Sequence, residues 1–219
     1  MAGRSHFYID GFNLYHSIDD LGESFLKWCN LWKLSEGIAH SRGEALVGVT
    51  FCTAYYPGDH GKRIRHEAYK KALEAVGVKC VWGHYVTEPA SCKKCNVEWT
   101  KRTEKETDIN VALELYDDAV RDVYDTAYLI TADSDQAATA RMLKKRYPNK
   151  ALVSVAPPGR RHSKDILHHA KGSISLTRDQ IERAHFGHAV MVDGVPPVLR
   201  PREYNPPEGW VPFERRPQK

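Results

Sequence analysis

The chain has 219 residues, of which 42% are hydrophobic and 27% are charged, a balance typical of a folded domain and unlike that of a disordered chain. Its 32 Lys and Arg residues are nearly balanced by 28 Asp and Glu residues, so the net charge alone does not indicate a nucleic-acid binder, and a polynucleotide would need a local basic patch. No run approaches the roughly 18 apolar residues of a membrane span, and the first residues carry no apolar leader, so we expect a cytoplasmic protein without membrane contact.

Strand-like and helix-like segments alternate along the chain, which predicts βαβ units and a parallel sheet in an α/β fold. Runs of β-branched and aromatic residues predict strands at residues 6–10, 45–56, 78–86, 126–133, 151–159 and 173–177. Apolar residues at three- and four-residue spacing predict the helices between them, and the clearest of these begins at Thr107.

Two segments depart from this alternation. Residues 86–103 are polar and aperiodic, which predicts an insertion or loop. Residues 188–219 hold seven of the twelve prolines, which predicts an extended tail that either packs on the domain or is disordered. Trp210 and Phe213 would anchor this tail to the domain or to a partner. We therefore expect one domain over residues 1–187, with the insertion at 86–103, followed by a Pro-rich extension over residues 188–219.

Aspartates occur at equivalent places in this pattern. Asp10 ends the first strand, Asp108 opens the clearest helix, and Asp133 ends a later strand with Asp135 two residues further on. The carboxyl ends of parallel strands share one sheet edge, so these side chains should converge. Such a cluster is costly unless a cation neutralises it, and hard oxygen ligands favour Mg²⁺ or Mn²⁺. Each aspartate also fits a purely structural role as a helix cap or turn residue, and this role is compatible with metal binding.

Several motifs resemble one known family in matching order. FYIDGFNLYHSI resembles the opening motif of NYN domains, which are PIN-like nucleases, and EKETDINVALEL and LITADSDQ resemble the second and third motifs. GKRIRHEAYKKALEAVGV and VAPPGRRHSK also look like segments of this family. The similarity spans residues 6 to 178 and leaves the Pro-rich tail outside it.

The resemblance implies a three-layer α/β/α PIN-like fold with a central, mostly parallel sheet, and divalent-metal-dependent cleavage of RNA, expected to be single-stranded. It implies that the metal site is formed by Asp10, Asp108, Asp133 and Asp135. Asn13 would hold a metal-bound water or a ligand carboxylate, and Glu104 and Lys105 match an acidic–basic pair before the second motif. Gln136 stands where the third motif commonly has an aromatic or aliphatic residue.

Basic residues at the same sheet edge are candidates for phosphate contacts. Arg160, Arg161 and Lys164 follow the fifth strand, and Lys62 and Arg63 open the helix after the second strand, where helix starts favour anions. With Lys105 they form the predicted RNA-binding set, although basic residues on helices are more often simply solvated. Tyr15, Tyr55 and Tyr56 would either stack on bases or pack in the core.

Five cysteines, an odd number, indicate free thiols in a reducing compartment. Cys92 and Cys95 have the spacing of two zinc ligands, and Cys80 and His84 are the candidates to complete a four-ligand structural zinc site. Two alternatives are free surface thiols and a ligand set shared across a homodimer.

The sequence thus predicts a metal-dependent ribonuclease and leaves two alternatives of other classes. One is a catalytically quiet PIN-like RNA-binding module, although such a binder has no need of mutually repelling carboxylates. The other is a different metal-dependent phosphoryl enzyme, such as a phosphatase or a DNA nuclease.

Overall fold

The centre of the fold is a sheet of six parallel strands. The structure, a computed structural model, describes residues 2–192 and 194–216. From one edge to the other, the strands are β3 (Lys79–Trp82), β2 (Ala45–Thr53), β1 (Arg4–Asp10), β6 (Thr126–Ile130), β7 (Ala151–Ala156) and β8 (Gly172–Ser175). Every neighbouring pair is parallel, as the alternation of strands and helices predicts.

Helices cover both faces of this sheet. They are α1 (Gly11–Asp19), α2 (Leu31–Ser41), α3 (His60–Ala75), α4 (Thr107–Val120), α5 (Ala137–Arg146), α6 (Lys164–Leu167) and α7 (Arg178–Arg183). Short 3-10 turns lie at Ser24–Lys27, Ser134–Gln136, Arg202–Tyr204 and Phe213–Arg215.

Side-chain alternation along β1 divides the core into two clusters. Phe7 and Ile9 pack on one face with buried residues of α1, α2, α3 and α7, whereas Tyr8 packs on the other face with residues of α4, α5 and α6. Successive residues of a strand point to opposite faces of the sheet, so consecutive apolar residues place apolar side chains on both faces, and both faces become buried. The fold is therefore α/β with three layers, α/β/α, as predicted.

A β-hairpin occupies residues 86–103, which were predicted to be an insertion or a loop, so this segment is an ordered insertion and not an irregular loop. β4 (His84–Ser91) and β5 (Glu98–Lys105) pair antiparallel outside the central sheet. The hairpin residues are largely exposed on both faces, so no apolar alternation marks their strands.

The predicted strand 78–86 is also divided in two. Gly83 separates β3 from β4, and a methyl group there would lie 2.4 Å from the main-chain oxygen of Lys105. Only a residue without a side chain lets the base of the hairpin approach this closely. The strand predicted to end at Asp133 ends earlier, at Ile130.

The Pro-rich tail packs on the domain. β9 (Ala189–Val192) and β10 (Val195–Leu199) form a second antiparallel pair and contact α3. Trp210 lies against Phe25 and His185, with ring centroids 5.7 and 5.0 Å away, and the guanidinium of Arg183 stacks on Phe213 at 3.8 Å. Both aromatic residues anchor the tail to the domain.

Some predicted segments lie partly outside the described residues. These are Met1 of the expected domain, and Asp193 and residues 217–219 of the expected extension. Within residues 2–192 and 194–216, no helix is long and apolar enough to cross a membrane.

We expect Glu182→Gln to loosen this tail and lower the free energy of unfolding by about 1–3 kcal/mol. Glu182 is buried and accepts hydrogen bonds from Trp210 Nε1 at 2.6 Å, from Arg178 at 2.7 Å and from Arg216. Burial raises the pKa of Glu182, but these hydrogen bonds outweigh it and lower the pKa to about 2.

Because this pKa lies below the ordinary value, the stabilisation is complete above about pH 4.5 and is lost as the pH falls toward 2. Urea unfolding at several pH values measures it, with Glu208→Gln, at an exposed tail position, as the control. The difference in unfolding free energy between the native protein and Glu182→Gln should therefore shrink in acid. A difference that does not depend on pH would contradict this account.

Candidate active site

The candidate site lies where the order in which strands are added to the sheet changes direction, between β1 and β6. β1 pairs with β2 on one side and with β6 on the other, and later strands extend outward beyond β6. At such a switch point the loops after two neighbouring strands diverge and leave a crevice at the carboxyl edge. Asp10 ends β1 at this crevice, and Asp133 follows β6 after two intervening residues.

Hydrogen bonds tie the start of α1 to the loop after β6. Asp10 is buried, and its Oδ1 accepts the Asn13 N–H at 3.0 Å while its Oδ2 accepts the Thr131 hydroxyl at 2.9 Å. Thr131 Oγ1 also accepts the Asp133 N–H at 3.1 Å, and Asn13 Oδ1 accepts the Ala132 N–H at 3.0 Å. Asp10 is therefore both the N-cap of α1 and a buried carboxylate in the crevice, so its structural role as a cap does not exclude a functional role.

Four carboxylates line one open cavity of about 330 Å³ at this crevice. They are Asp10, Glu104, Asp108 and Asp133, and the other lining residues are Phe12, Asn13, His16, Ala132 and Arg160. Asp135 is exposed beside the cavity and donates its N–H to Asp133 Oδ1 at 3.0 Å. Three of the four predicted aspartates thus meet here, and Glu104 takes the fourth place in the lining.

Burial and neighbouring negative charge raise the pKa values of two carboxylates in the cavity. For Asp108, burial and the charges of Asp10, Asp133 and Glu104 together raise the pKa to about 6. Burial also raises the pKa of Asp10, although hydrogen bonds from Asn13 and Thr131 oppose it. The cavity is therefore a region of unneutralised negative potential that favours a cation.

Two side chains hold the acidic helix start of α4 in place. Glu104 Oε1 accepts the Thr107 N–H at 2.9 Å and also the Thr107 hydroxyl, across a turn in which Glu106 has a φ of 77°. Gln136 is buried, and its amide nitrogen donates to the main-chain oxygen of Asp108 at 2.8 Å. A residue that departs from the family's third motif therefore links the helix that carries Asp108 to the turn after Asp133.

Comparison with known proteins identifies the family of this chain. A family model described as NYN domain matches residues 5–176, which is more than half of the chain. The chain belongs to the NYN domain family. A comparison with curated protein sequences finds no significant match.

A solved structure supports the same fold for this NYN domain. The crystal structure of a protein of unknown function from Vibrio parahaemolyticus is similar with a TM-score of 0.53 and 17% sequence identity. The similarity covers 81% of this chain and 95% of the other. At this identity the likeness concerns the fold alone.

The carboxylate oxygens that line the cavity of the NYN domain are hard ligands of the kind that divalent cations bind in proteins. Within the described residues, no three His, Cys, Asp or Glu side chains lie close enough together to enclose a metal ion. Mg²⁺ retains several waters and needs only one or two carboxylates, so a wide cavity lined by carboxylate oxygens suits it. Zinc would require a closed tetrahedral set.

The predicted four-ligand zinc site is not assembled within residues 2–192 and 194–216. Cys92 and Cys95 lie at the tip of the β4–β5 hairpin, whereas His84 lies at its base, which at about 3.3 Å per residue is roughly 25 Å away. No third His, Cys, Asp or Glu joins the pair among the described residues. All five cysteines are free thiols. A zinc ion shared between two copies stays a prediction.

The predicted RNA-binding residues occupy different surroundings. Arg160 lines the acidic cavity and pairs with Asp20 at 2.5 Å, whereas Arg161 and Lys164 are exposed after β7. Arg63 pairs with Glu67 at 2.9 Å, and Lys105 pairs with Glu88 at 3.4 Å across the hairpin. Lys62 lines a second cavity, of about 310 Å³.

The three candidate tyrosines also separate into two groups. Tyr55 stacks on Trp82 at 4.2 Å and lies against His66, so it is a packing residue. Tyr15 and Tyr56 line the second cavity with 38% and 39% of their surface exposed. Sequence patterns cannot separate adjacent Tyr55 and Tyr56, because only the turn of the chain after β2 directs one ring inward and the other outward.

We expect Asp108→Asn to raise the stability of the metal-free protein at pH 8 by about 1 kcal/mol, after discounting for solvent screening. Because the pKa of Asp108 is raised to about 6, its folded form favours the proton, so its stabilising contribution is present in acid and is lost as the pH rises through 6. The neutral amide avoids that loss. Thermal unfolding in EDTA at pH 8 and pH 5 measures it.

Asp117→Asn is the matched control, because Asp117 is an exposed carboxylate on the same helix. We expect the gain for Asp108→Asn at pH 8 to shrink at pH 5, and we expect Mn²⁺ to stabilise the native protein more than the Asp108→Asn variant. Lower stability of Asp108→Asn than of the native protein at pH 8 would contradict the predicted repulsion.

Proposed function

We propose that this NYN domain is a metal-dependent ribonuclease that hydrolyses phosphodiester bonds of single-stranded RNA. The observation that carries the proposal is the convergence of Asp10, Glu104, Asp108 and Asp133 on one open cavity at the sheet's switch point. A protein that only binds RNA gains nothing from four carboxylates facing a polyanion. A phosphodiester can approach this cavity only if a cation screens the carboxylates.

One or two of Asp10, Asp108 and Asp133 would contact the hydrated cation directly and the rest through its waters, with Glu104 and the exposed Asp135 at its periphery. A bound Mg²⁺ or Mn²⁺ supplies Lewis acidity toward a water molecule and toward the oxygens of the scissile phosphate. Asp10 is well suited to this role because Asn13 and Thr131 fix its two oxygens, so little reorganisation is needed on binding.

Asn13 and Arg160 would orient the substrate around these carboxylates. The Asn13 side-chain oxygen is held by Ala132, and its amide nitrogen makes no hydrogen bond with the described residues, so it can donate to a water or a phosphate oxygen. Arg160 lines the same cavity and would exchange its exposed partner Asp20 for a phosphate. In-line attack by water would leave a 5′-phosphate and a 3′-hydroxyl.

RNA cleavage assays test the proposal directly. An end-labelled single-stranded RNA is incubated with Mn²⁺ or Mg²⁺ and the native protein, Asp133→Asn or Asp117→Asn, with EDTA as a further control. We expect cleavage by the native protein and by Asp117→Asn, products with 5′-phosphates, no cleavage in EDTA, and a loss of about 10²–10³-fold for Asp133→Asn.

Each other outcome of the assay indicates a different mechanism or function. A 2′,3′-cyclic phosphate product or cleavage that resists EDTA would overturn the mechanism. RNA binding without cleavage would indicate the catalytically quiet module, and hydrolysis of DNA or small phosphate esters without RNA cleavage would indicate another phosphoryl enzyme. The free thiols support a cytoplasmic site of action for any of these.

A further inference from the structure

A second cavity, of about 310 Å³, adjoins the acidic one. Phe12 and His16 line both cavities, so the two are neighbours along the first turns of α1. Ligand pockets span roughly 300–1,000 Å³, so a cavity at the lower limit accommodates one nucleotide unit and not a base pair.

Aromatic rings form the walls of this second cavity. Tyr85 meets Phe12 and Tyr56 edge to face, with ring centroids 6.1 and 5.5 Å apart. Tyr56 and Tyr15 each keep more than a third of their surface exposed, although large rings are normally buried. Exposed rings inside a cavity offer flat apolar faces on which a nucleobase can stack, and this contact is available to every base.

Cations surround these rings, in contrast to the neighbouring acidic cavity. Lys27 Nζ lies 4.9 Å from the centre of the Tyr15 ring, Lys62 Nζ lies 5.7 Å from that of Tyr56, and Arg65 also lines the cavity. Lys27 pairs with Asp19 and Arg65 pairs with Glu203, whereas Lys62 has no carboxylate partner among the described residues. A base attached to its own phosphates can stack on the rings and pair a phosphate with Lys62.

The Pro-rich tail contributes one wall. Tyr204 lines the cavity, and the preceding Glu203 is held by Arg65 at 2.8 Å and, through its main-chain oxygen, by the Ser24 hydroxyl at 2.9 Å. The family match ends at residue 176, so this wall lies outside the segment that the chain shares with the family.

We propose that the second cavity is a base subsite, which binds one unpaired base of the RNA next to the scissile phosphate. Tyr56, Tyr85 and Tyr204 enclose the base, and Lys62 holds a flanking phosphate. The inference rests on the proposed function, because the adjacent acidic cavity receives the phosphate that is cut. It gives a physical reason for single-stranded substrates, since a paired base cannot enter.

A thermodynamic cycle tests the base subsite without cleavage. Fluorescence anisotropy in Ca²⁺, which screens the carboxylates but is not the Mg²⁺ or Mn²⁺ of the proposed reaction, gives Kd for labelled oligouridylate and for an abasic ribose-phosphate chain of equal length, with the native protein and with Tyr56→Ala. We expect Tyr56→Ala to weaken oligouridylate binding about tenfold and to leave binding of the abasic chain within about twofold. Lys62→Gln should weaken both ligands by the same factor.

Trp99→Ala is the matched control, because Trp99 is an exposed aromatic residue near the hairpin tip and should affect neither ligand. Equal weakening of both ligands by Tyr56→Ala, or no binding of oligouridylate by the native protein, would overturn the base subsite. The cleavage assay with Asp133→Asn decides the proposed function separately. If cleavage depends on Asp133 but Tyr56→Ala weakens both ligands equally, the base subsite alone is refuted. If Tyr56→Ala weakens only oligouridylate binding but the native protein does not cleave RNA, the nuclease alone is refuted.

Discussion

Replacing Asp10 by Asn should lower the rate of metal-dependent RNA cleavage by about 10³-fold while the protein stays folded. Asp10 is the most buried of the four carboxylates in the acidic cavity, and hydrogen bonds fix both its oxygens. The amide has nearly the same shape, but it carries no charge and presents only one oxygen. Attraction for a divalent cation therefore falls at the position where the carboxylate is best ordered.

The fold should survive this change because Asn replaces Asp well at a helix N-cap. The amide oxygen can still accept the Asn13 N–H, and the amide nitrogen can donate to the Thr131 hydroxyl oxygen, which has a second lone pair beside the one used by Asp133. Removing one of several repelling charges offsets part of any loss. We expect a change in unfolding free energy of less than about 1 kcal/mol in EDTA.

Single-turnover cleavage rates in Mn²⁺, together with circular dichroism and thermal unfolding, measure both effects. Asp117→Asn removes one charge from the exposed face of α4 and should cleave at the native rate. A folded Asp10→Asn variant that cleaves within a few-fold of the native rate would show that the acidic cavity is not the active site. Loss of fold in that variant would refute the argument from capping.

Much of the acidic cavity could be predicted from sequence because it depends on local rules. β-branched and aromatic runs that end in Asp10 and precede Asp133 predict two parallel strands, and parallel strands bring their carboxyl ends to one edge. The position of Asp108 follows from a strong helical period. These predictions needed only that the two strands be neighbours, which β1 and β6 are.

What could not be predicted depends on contacts between distant segments. The hairpin of β4 and β5 is exposed on both faces, so it lacks the periodicity by which strands are recognised, and its return path brings Glu104 to the cavity. Tyr204 reaches the second cavity only because Arg65 and Ser24 hold the tail there. Thr131, in the loop after β6, carries no distinguishing sequence signal, yet it joins Asp10 to Asp133.

Replacing Gly11 by Ala should lower the free energy of unfolding by about 1–3 kcal/mol and the cleavage rate by about 10²-fold. Gly11 directly follows Asp10 and begins α1. A methyl group there would lie 2.6 Å from the Cys52 carbonyl oxygen and 2.9 Å from Thr53 Cβ, both on β2. Neither atom is the far end of a flexible side chain, so the start of α1 must move away from β2.

A shift of the start of α1 would also move Asp10, because Asp10 is the N-cap of α1 and its side chain accepts a hydrogen bond from Asn13 in the first turn of that helix. A shift of about 1 Å in a group that orients a reaction can cost about 10² in rate even when the chemistry is intact. The effect on stability is steric and does not come from backbone freedom, since Gly11 is absent from the glycines with positive φ.

Gly37→Ala separates this steric effect from the general effect of replacing glycine in a helix. Gly37 lies in α2 with open space around the position of a new methyl group, so alanine there should stabilise the protein by up to about 1 kcal/mol and leave cleavage unchanged. Urea unfolding and cleavage rates in Mn²⁺ measure both variants. If Gly11→Ala matches Gly37→Ala in both measurements, then the close approach of α1 to β2 does not position Asp10, and the geometry of the acidic cavity must be maintained by the Asn13–Ala132 and Thr131 hydrogen bonds alone.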